Sequence, residues 1–324
     1  MFTPSELLEK VENALQQVVY PQQPAGLYEP IEYVLSAGGK RIRPVLVLLS
    51  YNLYHDDVEK AIPAALALET YHNHTLLHDD LMDHADMRRG RPTVHKKWNE
   101  NTAILSGDTM LILSVLHLLD TDCKQQKELL QLFAHSMKEI CEGQQYDVNF
   151  ETRNDVTQEE YLEMIRLKTS VLLACALKTG ALVAGAPTED AEILYAFGEK
   201  IGLAFQLQDD YLDVYGDPAV FGKKIGGDIL CGKKTFLLIN ALNRADQPLR
   251  SQLLSWLQTS QVQAESKIAA VTGIYNQLNI ADLCRETIDQ FYAEAHACLD
   301  QLSVSEERKA VLWDFAESLL GRAN

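Results

Sequence analysis

The chain has 324 residues, 47% of them hydrophobic, so it can bury a large core, and its length permits one large domain or two ordinary ones. Its formal net charge of −17 argues against a nucleic-acid partner, because a protein that binds phosphate backbones needs a basic face. No stretch approaches the roughly 18 to 20 unbroken apolar residues of a membrane span, and the first residues are too polar for a signal peptide. We therefore expect a cytoplasmic protein, and we interpret the six scattered cysteines as reduced thiols.

The hydrophobic pattern is helical along nearly the whole chain. Apolar residues recur at spacings of three and four, as at Leu162 and Ile165, and alternating strand patterns are missing. One helix start is explicit, because Thr157 followed by Glu160 has the spacing of a capping box. No low-complexity linker divides the chain, so we expect a single all-α domain over residues 1–324. The pattern predicts helices over 3–19, 27–37, 43–54, 59–83, 101–120, 123–147, 158–184, 189–215, 233–244, 248–258, 262–275, 281–301 and 304–321.

The predicted helix over 59–83 ends in a cluster of three aspartates, Asp79, Asp80 and Asp83. The carboxylates at i and i+4 stack on one face of the helix, and three like charges on one turn repel one another. A hard divalent cation is the natural partner, because Mg²⁺ takes oxygen ligands and completes its shell with waters and substrate phosphates. A single cluster of this kind is weak evidence, since a solvated helix end can carry the same residues.

The predicted helix over 189–215 ends in a second copy of this cluster, Asp209, Asp210 and Asp213. Each copy stands at the C-terminal end of a long, mostly apolar helix. Two such copies are much harder to dismiss as solvated helix ends. They predict two helices that face each other across a cavity and present their carboxylates at its rim, where Mg²⁺ would bind.

Most of the distinctive basic residues stand beside glycines. The segment 38–44 places three cations after a glycine pair and before a helix start, and the segment 88–92 follows the first aspartate cluster. The segments 222–228 and 232–235 follow the second cluster, and Lys168 interrupts the apolar face of a long helix. A single basic run is usually a solvated face, but together these groups can bind phosphate oxygens beside both clusters. The sequence therefore indicates a Mg²⁺-diphosphate substrate.

These segments occur in the order typical of one enzyme family. From about Tyr33 to Ala241 the chain resembles the trans-isoprenyl diphosphate synthases, or polyprenyl synthetases, through the motifs GGKRIRP, LLHDDLMDHADMRRGRPTVH, SGDTML, KT, FQLQDDYLDVYGD, FGKKIGGDI and GKKT. The resemblance implies a homodimer and a bundle of long helices around a central apolar cavity. It also implies a Mg²⁺-dependent prenyltransferase, which condenses isopentenyl diphosphate with dimethylallyl, geranyl or farnesyl diphosphate to give an all-trans prenyl diphosphate.

The resemblance also implies roles for individual residues. The two aspartate clusters jointly hold three Mg²⁺ ions on the allylic diphosphate. Asp228 is expected nearby, where it either supports the metal ligands or binds a metal through water. Thr169, Phe205 and Gln206 line the reacting centre. The residues implied for isopentenyl diphosphate are Lys40, Arg43, His72 and Arg89. Those implied for the allylic diphosphate are Arg88, Lys168, Thr169, Gln206, Lys223, Lys224 and Lys233; which of the adjacent lysines 223 and 224 points inward stays open.

His72 requires a separate argument, because a lone histidine in a helix is usually a packing or surface residue. It stands seven residues before Asp79 and therefore on the same helical face, which favours a ligand role. We interpret the other histidines of this region as mostly structural, namely His74, His78, His84 and His95.

Product length depends on how far the growing tail can run along the helix that carries the first cluster. One helical turn of about 5.4 Å is close to one isoprene unit. Thr75, His74 and Tyr71 stand four, five and eight positions before Asp79. The small Thr75 leaves the first level open, and His74 and Tyr71 are bulky enough to close the next levels. We predict a C15 to C20 product, mainly geranylgeranyl diphosphate, with farnesyl diphosphate as the alternative.

Three other functions share part of this pattern. A metal-dependent phosphohydrolase could use His72, His78 and Asp79, but it leaves the second aspartate cluster without a purpose. A non-catalytic subunit of a heteromeric synthase usually has a degraded aspartate motif, whereas both motifs are intact here. A terpene cyclase typically has Asn, Ser and Glu in its second metal motif, where this chain has Asp209 and Asp213.

Overall fold

The computed structural model describes residues 1–217, 225–258 and 264–320. Regular structure in these residues is almost entirely helical, which confirms the predicted all-α class. A short antiparallel ribbon, β1 (Met87–Arg88) and β2 (Arg91–Pro92), interrupts the helices. The helices are α1 (Pro4–Gln17), α2 (Ala25–Leu35), α3 (Ile42–Asn52), α4 (Ile62–Met82), α5 (Val94–Lys97), α6 (Glu100–Leu119), α7 (Gln126–Phe150), α8 (Gln158–Ile165), α9 (Val171–Ala184), α10 (Thr188–Tyr215), α11 (Gly227–Cys231), α12 (Phe236–Arg244), α13 (Gln247–Leu257), α14 (Ala264–Gln277), α15 (Ile280–Asp300) and α16 (Glu306–Leu320).

The ends of the predicted helices lie within three residues of the ends in the structure. The capping box at the start of α8 is confirmed, because the Thr157 hydroxyl accepts from the backbone N–H of Glu160 at 3.1 Å and the Glu160 carboxylate accepts from the N–H of Thr157 at 2.8 Å. The predicted helix over 158–184 is divided by a π-helical turn, Arg166–Ser170, which separates α8 from α9. The ribbon and the short helices α5 and α11 were not predicted, because elements of two to five residues carry no periodicity.

The described residues form two compact units, each assembled from separate segments of the chain. The first unit comprises Met1–Ala134, Cys175–Leu194 and Ser303–Leu312. The second comprises His135–Ala174, Tyr195–Leu302 and the segment that starts at Trp313. The first unit therefore carries the first aspartate cluster, and the second unit carries the second cluster. The single-domain organisation expected from the sequence stays a prediction.

In the first unit, α4 packs mainly on α6 and α3. The N-terminal half of α4 is buried and rich in small side chains, including Ala64, Ala65 and Ala67, which lets neighbouring helices approach closely. Gly180 of α9 approaches α3 so closely that a Cβ atom there would lie 2.2 Å from the backbone oxygen of Val47. Close packing along its length fixes α4, and with it the aspartate cluster at its C-terminal end.

In the second unit, two glycines allow helices to pack directly against the π turn. A Cβ atom on Gly143 of α7 would lie 2.4 Å from the backbone nitrogen of Lys168. A Cβ atom on Gly202 of α10 would lie 2.5 Å from the Cα atom of Ser170. The turn is therefore held from two sides, which fixes the positions of Lys168 and Thr169. The core of this unit joins apolar side chains of α8, α10, α12 and α15.

Among the described residues, two helical segments are long and apolar enough to span a membrane by length and composition alone, namely Glu100–Leu119 and Gln158–Ala184. In the second segment, 78% of the most apolar window is buried inside the protein, as in a core helix. In the first segment, which is α6, only 33% of that window is buried, so α6 presents apolar side chains to solvent. These criteria are weak evidence for a span, and the absence of one stays a prediction.

Candidate active site

The first aspartate cluster stands at the C-terminal end of α4. Asp80 is 5% exposed, and its two carboxylate oxygens each accept a hydrogen bond from Nε of Arg88 at 2.8 Å. Asp79 is half-buried, and Asp83 is the exposed residue that caps the helix. Asp79 and Asp83 stand at i and i+4, a spacing at which two carboxylates lie on one face of the helix and can bind one external cation.

A tight hairpin follows this cluster and aims two arginines in different directions. Arg88 pairs with Arg91 across the ribbon, and the two residues between them, Arg89 and Gly90, have φ of 51° and 74°. Positive φ at both positions is typical of a type I′ turn, in which glycine is favoured. The turn places Arg88 against Asp80, while Nη1 of Arg89 donates to the backbone oxygen of Gly38.

The glycine-rich loop before α3 contains two cations with different environments. Lys40 is exposed, whereas Arg41 is 3% exposed and has a left-handed backbone conformation with φ of 45°. Nη1 of Arg41 donates to Glu69 at 2.6 Å, and its Nε donates to Glu12 at 2.8 Å. Arg41, which was not selected from the sequence, is therefore engaged within the protein. Lys40 remains accessible to a ligand.

Arg43 and His72, both predicted for the isopentenyl diphosphate site, are in contact. Nη1 of Arg43 lies 3.2 Å from Nε2 of His72. Burial, and after it the charges of Arg43 and Arg89, hold the pKa of His72 well below its usual range, so the imidazole is neutral near pH 7. Nε2 of His72 accepts this hydrogen bond, because a guanidinium only donates. Nε of Arg43 is buried and has no hydrogen-bond partner among the described residues, so its N–H can serve a bound anion.

Positive charge is concentrated around this contact. Burial lowers the pKa of Arg43 to about 10; Glu69 opposes this shift, and the neighbouring Arg89 adds to it. Burial is also the main cause of the lowered pKa of Arg89. Both guanidiniums remain protonated near pH 7, so a bound anion would offset the repulsion between these two neighbouring positive charges. The arrangement favours a diphosphate ligand.

The second aspartate cluster lies near the C-terminal end of α10 and repeats the arrangement of the first. Asp210 is 1% exposed and accepts hydrogen bonds from the hydroxyl of Tyr161 and from the backbone N–H of Phe236, the latter at 3.0 Å. Asp209 is exposed, and Asp213 is half-buried. The middle aspartate is again engaged by the protein, and the outer pair again stands at i and i+4.

Negative charge is concentrated around this second cluster. Burial raises the pKa of Asp210 to about 7, and burial together with the charge of Asp228 raises the pKa of Asp213. The backbone N–H of Asp228 donates to the Asp213 carboxylate at 3.0 Å, and Nζ of Lys233 lies 3.9 Å from Asp228. Burial opposes protonation of Lys233, but Asp228 and Asp210 outweigh it and raise the lysine pKa to about 12. A cation bound here would relieve the repulsion between the carboxylates.

The π turn carries Thr169, which is linked to the second aspartate cluster through a hydrogen bond with Gln206. Oγ1 of Thr169 donates to Oε1 of Gln206 at 3.2 Å, and Nε2 of Gln206 lies 3.5 Å from Asp210. Nζ of Lys168 pairs with Asp147 at 2.6 Å. The structure thus brings Thr169 and Gln206 close to Asp210 of the second cluster, and their role at the reacting centre stays a prediction.

Three further predicted residues have different outcomes. Phe205 precedes Gln206 on α10 and is half-buried. Lys223 and Lys224 lie outside the described residues, so the choice between them stays open.

Several residues of the site were not predicted from the sequence. Asp147 and Tyr161 look like ordinary positions on helices, and their roles emerge only from long-range contacts with Lys168 and Asp210. Glu69 was also missed, although it stands three residues before His72 and so near the same helical face.

The three residues predicted to set chain length lie close together on α4, with Tyr71 about one turn before the adjacent His74 and Thr75. Tyr71 is buried, and its ring meets Phe133 edge-on with the ring centroids 5.5 Å apart. Nδ1 of His74 lies 2.9 Å from the backbone oxygen of Gly107, which holds the imidazole toward α6. Thr75 is half-buried, and its hydroxyl donates to a backbone oxygen one turn back. Their role in ending the prenyl tail stays a prediction.

The donors of the two clusters fit Mg²⁺. In the described part of the chain, no three side chains of His, Cys, Asp or Glu come close enough together to form a metal site from protein ligands alone. The outer aspartates of the two clusters instead offer carboxylate oxygens in pairs, Asp79 with Asp83 and Asp209 with Asp213. Mg²⁺ is typically bound through one or two carboxylates, with waters and substrate phosphates completing its shell. Zinc would instead favour nitrogen and sulfur ligands.

An all-α fold with two aspartate clusters, each with a basic side chain beside it, defines an enzyme of metal-diphosphate chemistry. The sequence matches the polyprenyl synthetase family over residues 24–275, and the chain belongs to this family. It is therefore a trans-prenyltransferase, which sets aside the phosphohydrolase interpretation.

Individual relatives agree with this assignment. The chain is 42% identical to the short chain isoprenyl diphosphate synthase of Methanocaldococcus jannaschii, over 82% of this chain and 80% of the relative. It is 42% identical to the geranylgeranyl diphosphate synthase of Methanosarcina mazei, over 72% of this chain and 73% of the relative. A crystal structure of a geranylgeranyl pyrophosphate synthase superimposes with a TM-score of 0.94 at 43% identity, covering 100% of both chains.

Proposed function

We propose that this chain condenses isopentenyl diphosphate with an allylic diphosphate in a Mg²⁺-dependent reaction and releases mainly geranylgeranyl diphosphate. The observation that carries the proposal is the contact between Arg43 and the neutral His72. The guanidinium of Arg43 is half-buried, and its buried Nε has no hydrogen-bond partner among the described residues. An enzyme of this family needs such a site for a diphosphate. The C20 product is supported by the relatives that are named geranylgeranyl diphosphate synthases.

Isopentenyl diphosphate is proposed to bind at Lys40, Arg43, His72 and Arg89. The half-buried Arg43 and the exposed Arg89 supply two neighbouring positive charges, and Lys40 supplies an accessible ammonium. The neutral His72 adds no charge, but it orients Arg43 through their hydrogen bond. The alkene end of the substrate is then held by its diphosphate in a fixed position relative to α4.

The allylic diphosphate is proposed to bind through the aspartate clusters and through Arg88, Lys168 and Lys233. The outer aspartates of each cluster are the proposed ligands of three Mg²⁺ ions. Asp80 and Asp210 instead accept hydrogen bonds from neighbouring protein groups. When bound, Mg²⁺ supplies positive charge that stabilises a departing diphosphate. Lys168 pairs with Asp147 in the structure, and the substrate would replace this carboxylate with phosphate oxygens.

The chemistry follows from this concentration of positive charge. The cations stabilise the departing diphosphate, so the allylic C–O bond breaks and leaves a carbocation. The alkene of isopentenyl diphosphate attacks the cation and forms the new C–C bond. A proton then leaves the adjacent carbon, and the released diphosphate is its proposed acceptor. Thr169 and Gln206 satisfy each other by a hydrogen bond near the second cluster, which limits unpaired polar groups beside the cation.

Chain length is proposed to be limited by Tyr71 and His74. Thr75 is small, so it leaves room for the first isoprene units of the growing chain. Tyr71 is buried against Phe133, and His74 is held against α6, so neither ring is free to swing aside. Farnesyl diphosphate is the expected product if these side chains end elongation one isoprene unit earlier.

The chain is proposed to act as a homodimer, with α6 in the interface. This helix exposes Ile104, Leu105, Ile112, Leu116 and Leu119, with exposed fractions from 43% to 60%. Large apolar side chains that recur along one helix and remain exposed are typical of a protein-protein interface. A cytoplasmic location stays a prediction.

The proposal is tested by incubating the purified protein with Mg²⁺, radiolabelled isopentenyl diphosphate and each allylic primer in turn. We expect geranylgeraniol after dephosphorylation and chromatography. A C15 product would contradict the chain-length assignment, and phosphate release without prenyl product would contradict the reaction. In the same assay, His74→Ala and Tyr71→Ala should extend the product by at least one isoprene unit. If product length is unchanged in both variants, Tyr71 and His74 do not limit the length of the prenyl chain.

A further inference from the structure

A buried polar network joins the proposed isopentenyl diphosphate residues, and none of the roles above accounts for it. Its centre is Glu69, which lies within α4 and is 1% exposed. One carboxylate oxygen of Glu69 accepts from Nη1 of Arg41 at 2.6 Å and from Nδ2 of Asn73 at 2.8 Å. Burying a carboxylate is costly unless it is paired and hydrogen-bonded, so these contacts hold Glu69 firmly in place.

Asn73 connects Glu69 with Arg89. It is fully buried, and its Nδ2 also donates to the backbone oxygen of Glu69 at 2.9 Å. Because both neighbours of Nδ2 are acceptors, the amide orientation is fixed, and Oδ1 faces Arg89. Nη1 of Arg89 donates to this Oδ1 at 3.3 Å. The buried amide of Asn73 therefore links Glu69 to Arg89 and holds the two charged groups in a fixed arrangement.

Arg89 in turn holds the glycine-rich loop. It donates to the backbone oxygen of Gly38, and a Cβ atom on Gly39 would lie 2.9 Å from the carbon of the guanidinium. On the other side of Lys40, Arg41 is bound to Glu69. The network therefore fixes the backbone on both sides of Lys40.

Backbone strain and charge both indicate that this network has a purpose. Arg41 and Arg89 have φ of 45° and 51°, a conformation that is unfavourable for residues with side chains and persists only where the surroundings enforce it. Burial acts to lower the pKa of Arg41, Arg43 and Arg89, and in each case Glu69 is the largest influence in the opposite direction. Glu69 thus lies among the cations that would bind a diphosphate.

We infer that Glu69 and Asn73 are positioning residues for isopentenyl diphosphate, which hold Arg89 and the loop of Lys40 in binding geometry without touching the substrate. The inference rests on the proposed function, because it assigns these residues to one of the two substrates. A purely structural role would instead affect folding, or both substrates equally.

Asn73→Leu is the main test, because it keeps the volume of the side chain and removes both ends of the amide link. We expect the KM for isopentenyl diphosphate to rise at least tenfold, while the KM for the allylic substrate changes less than twofold. Glu69→Gln, which removes the charge and keeps the shape, should change the same KM in the same direction. Asn73→Ser replaces Asn73→Leu if the latter does not fold.

Asn52 provides a matched control. It is also fully buried in the first unit, where it accepts from the N–H of Phe2 at 2.7 Å and donates to the oxygen of His55 at 2.6 Å. Asn52→Leu should lower thermal stability without separating the two KM values. An unchanged KM for isopentenyl diphosphate in the Asn73 variants, or an equal rise in both KM values, would overturn the inference while the proposed function stands. A wild-type protein without prenyl product would overturn both.

Discussion

In both aspartate clusters the middle residue differs from its neighbours in environment. Asp80 is held by Arg88, and Asp210 is held by Tyr161 and by the backbone N–H of Phe236. A buried carboxylate with such partners orients other groups, whereas the outer carboxylates present oxygens that a hydrated metal can reach. The identical residue type at adjacent positions therefore serves two purposes.

This difference predicts separate kinetic effects for two conservative substitutions. Asp79→Asn should raise the Mg²⁺ concentration needed for half-maximal rate by about tenfold or more, because it removes a charged oxygen ligand. Asp80→Asn should leave that Mg²⁺ concentration nearly unchanged and raise the KM for the allylic substrate, since it releases Arg88. Steady-state rates over a Mg²⁺ titration measure both. Equal Mg²⁺ shifts in the two variants would contradict the division of roles.

At the scale of elements, the π turn between α8 and α9 is the part of the site that depends most on helix packing. Gly143 and Gly202 let α7 and α10 approach its backbone on two sides. π turns within helices often mark functional sites, and this one carries Lys168 and Thr169. Lys168 and Thr169, which are proposed to bind substrate, are thus positioned by glycines on two neighbouring helices.

Gly143→Ala tests this dependence. The new Cβ atom would lie 2.4 Å from the backbone nitrogen of Lys168, so the turn or α7 must shift. We expect a loss of about 1 to 3 kcal/mol in the free energy of unfolding and a larger than tenfold fall in kcat/KM. Urea denaturation and steady-state kinetics provide the measurements.

Gly273 of α14 is the matched control, because nothing lies within 4 Å of a Cβ atom at that position. Gly273→Ala should stabilise the protein by up to about 1 kcal/mol and leave activity unchanged, since alanine favours the helix. Equal activity in the two variants would show that the close approach at Gly143 is not needed by the site.

The sequence predicted the long helices and the chemistry-bearing residues, because both leave local patterns. Apolar periodicity marks α4 and α10, and repeated aspartates mark their ends. The π turn left no pattern, since Arg166–Ser170 reads as continuous helix. The roles of Asp147, Tyr161 and Glu69 were hidden for a different reason: each depends on a partner far away in the chain or on burial, which one-dimensional spacing does not record.

For the molecule as a whole, α6 raises the question of assembly. Five large apolar side chains are exposed along this one helix, and exposed apolar surface of this kind often marks a protein-protein interface. Covering this face with a second copy would remove that surface from water. If the proposed homodimer forms through α6, the exposed apolar residues of this helix are needed for dimerisation.

Ile112→Glu combined with Leu116→Glu should convert the dimer to a monomer in sedimentation-velocity experiments. Both side chains are exposed on α6, with 60% and 49% of their surface accessible, so the change costs little in a single copy. In an interface the two buried carboxylates should weaken the dimer at least about a hundredfold. Val19→Glu is the control, because Val19 is 90% exposed and lies outside α6, and this variant should stay dimeric. A double variant that also stays dimeric would place the interface on another surface.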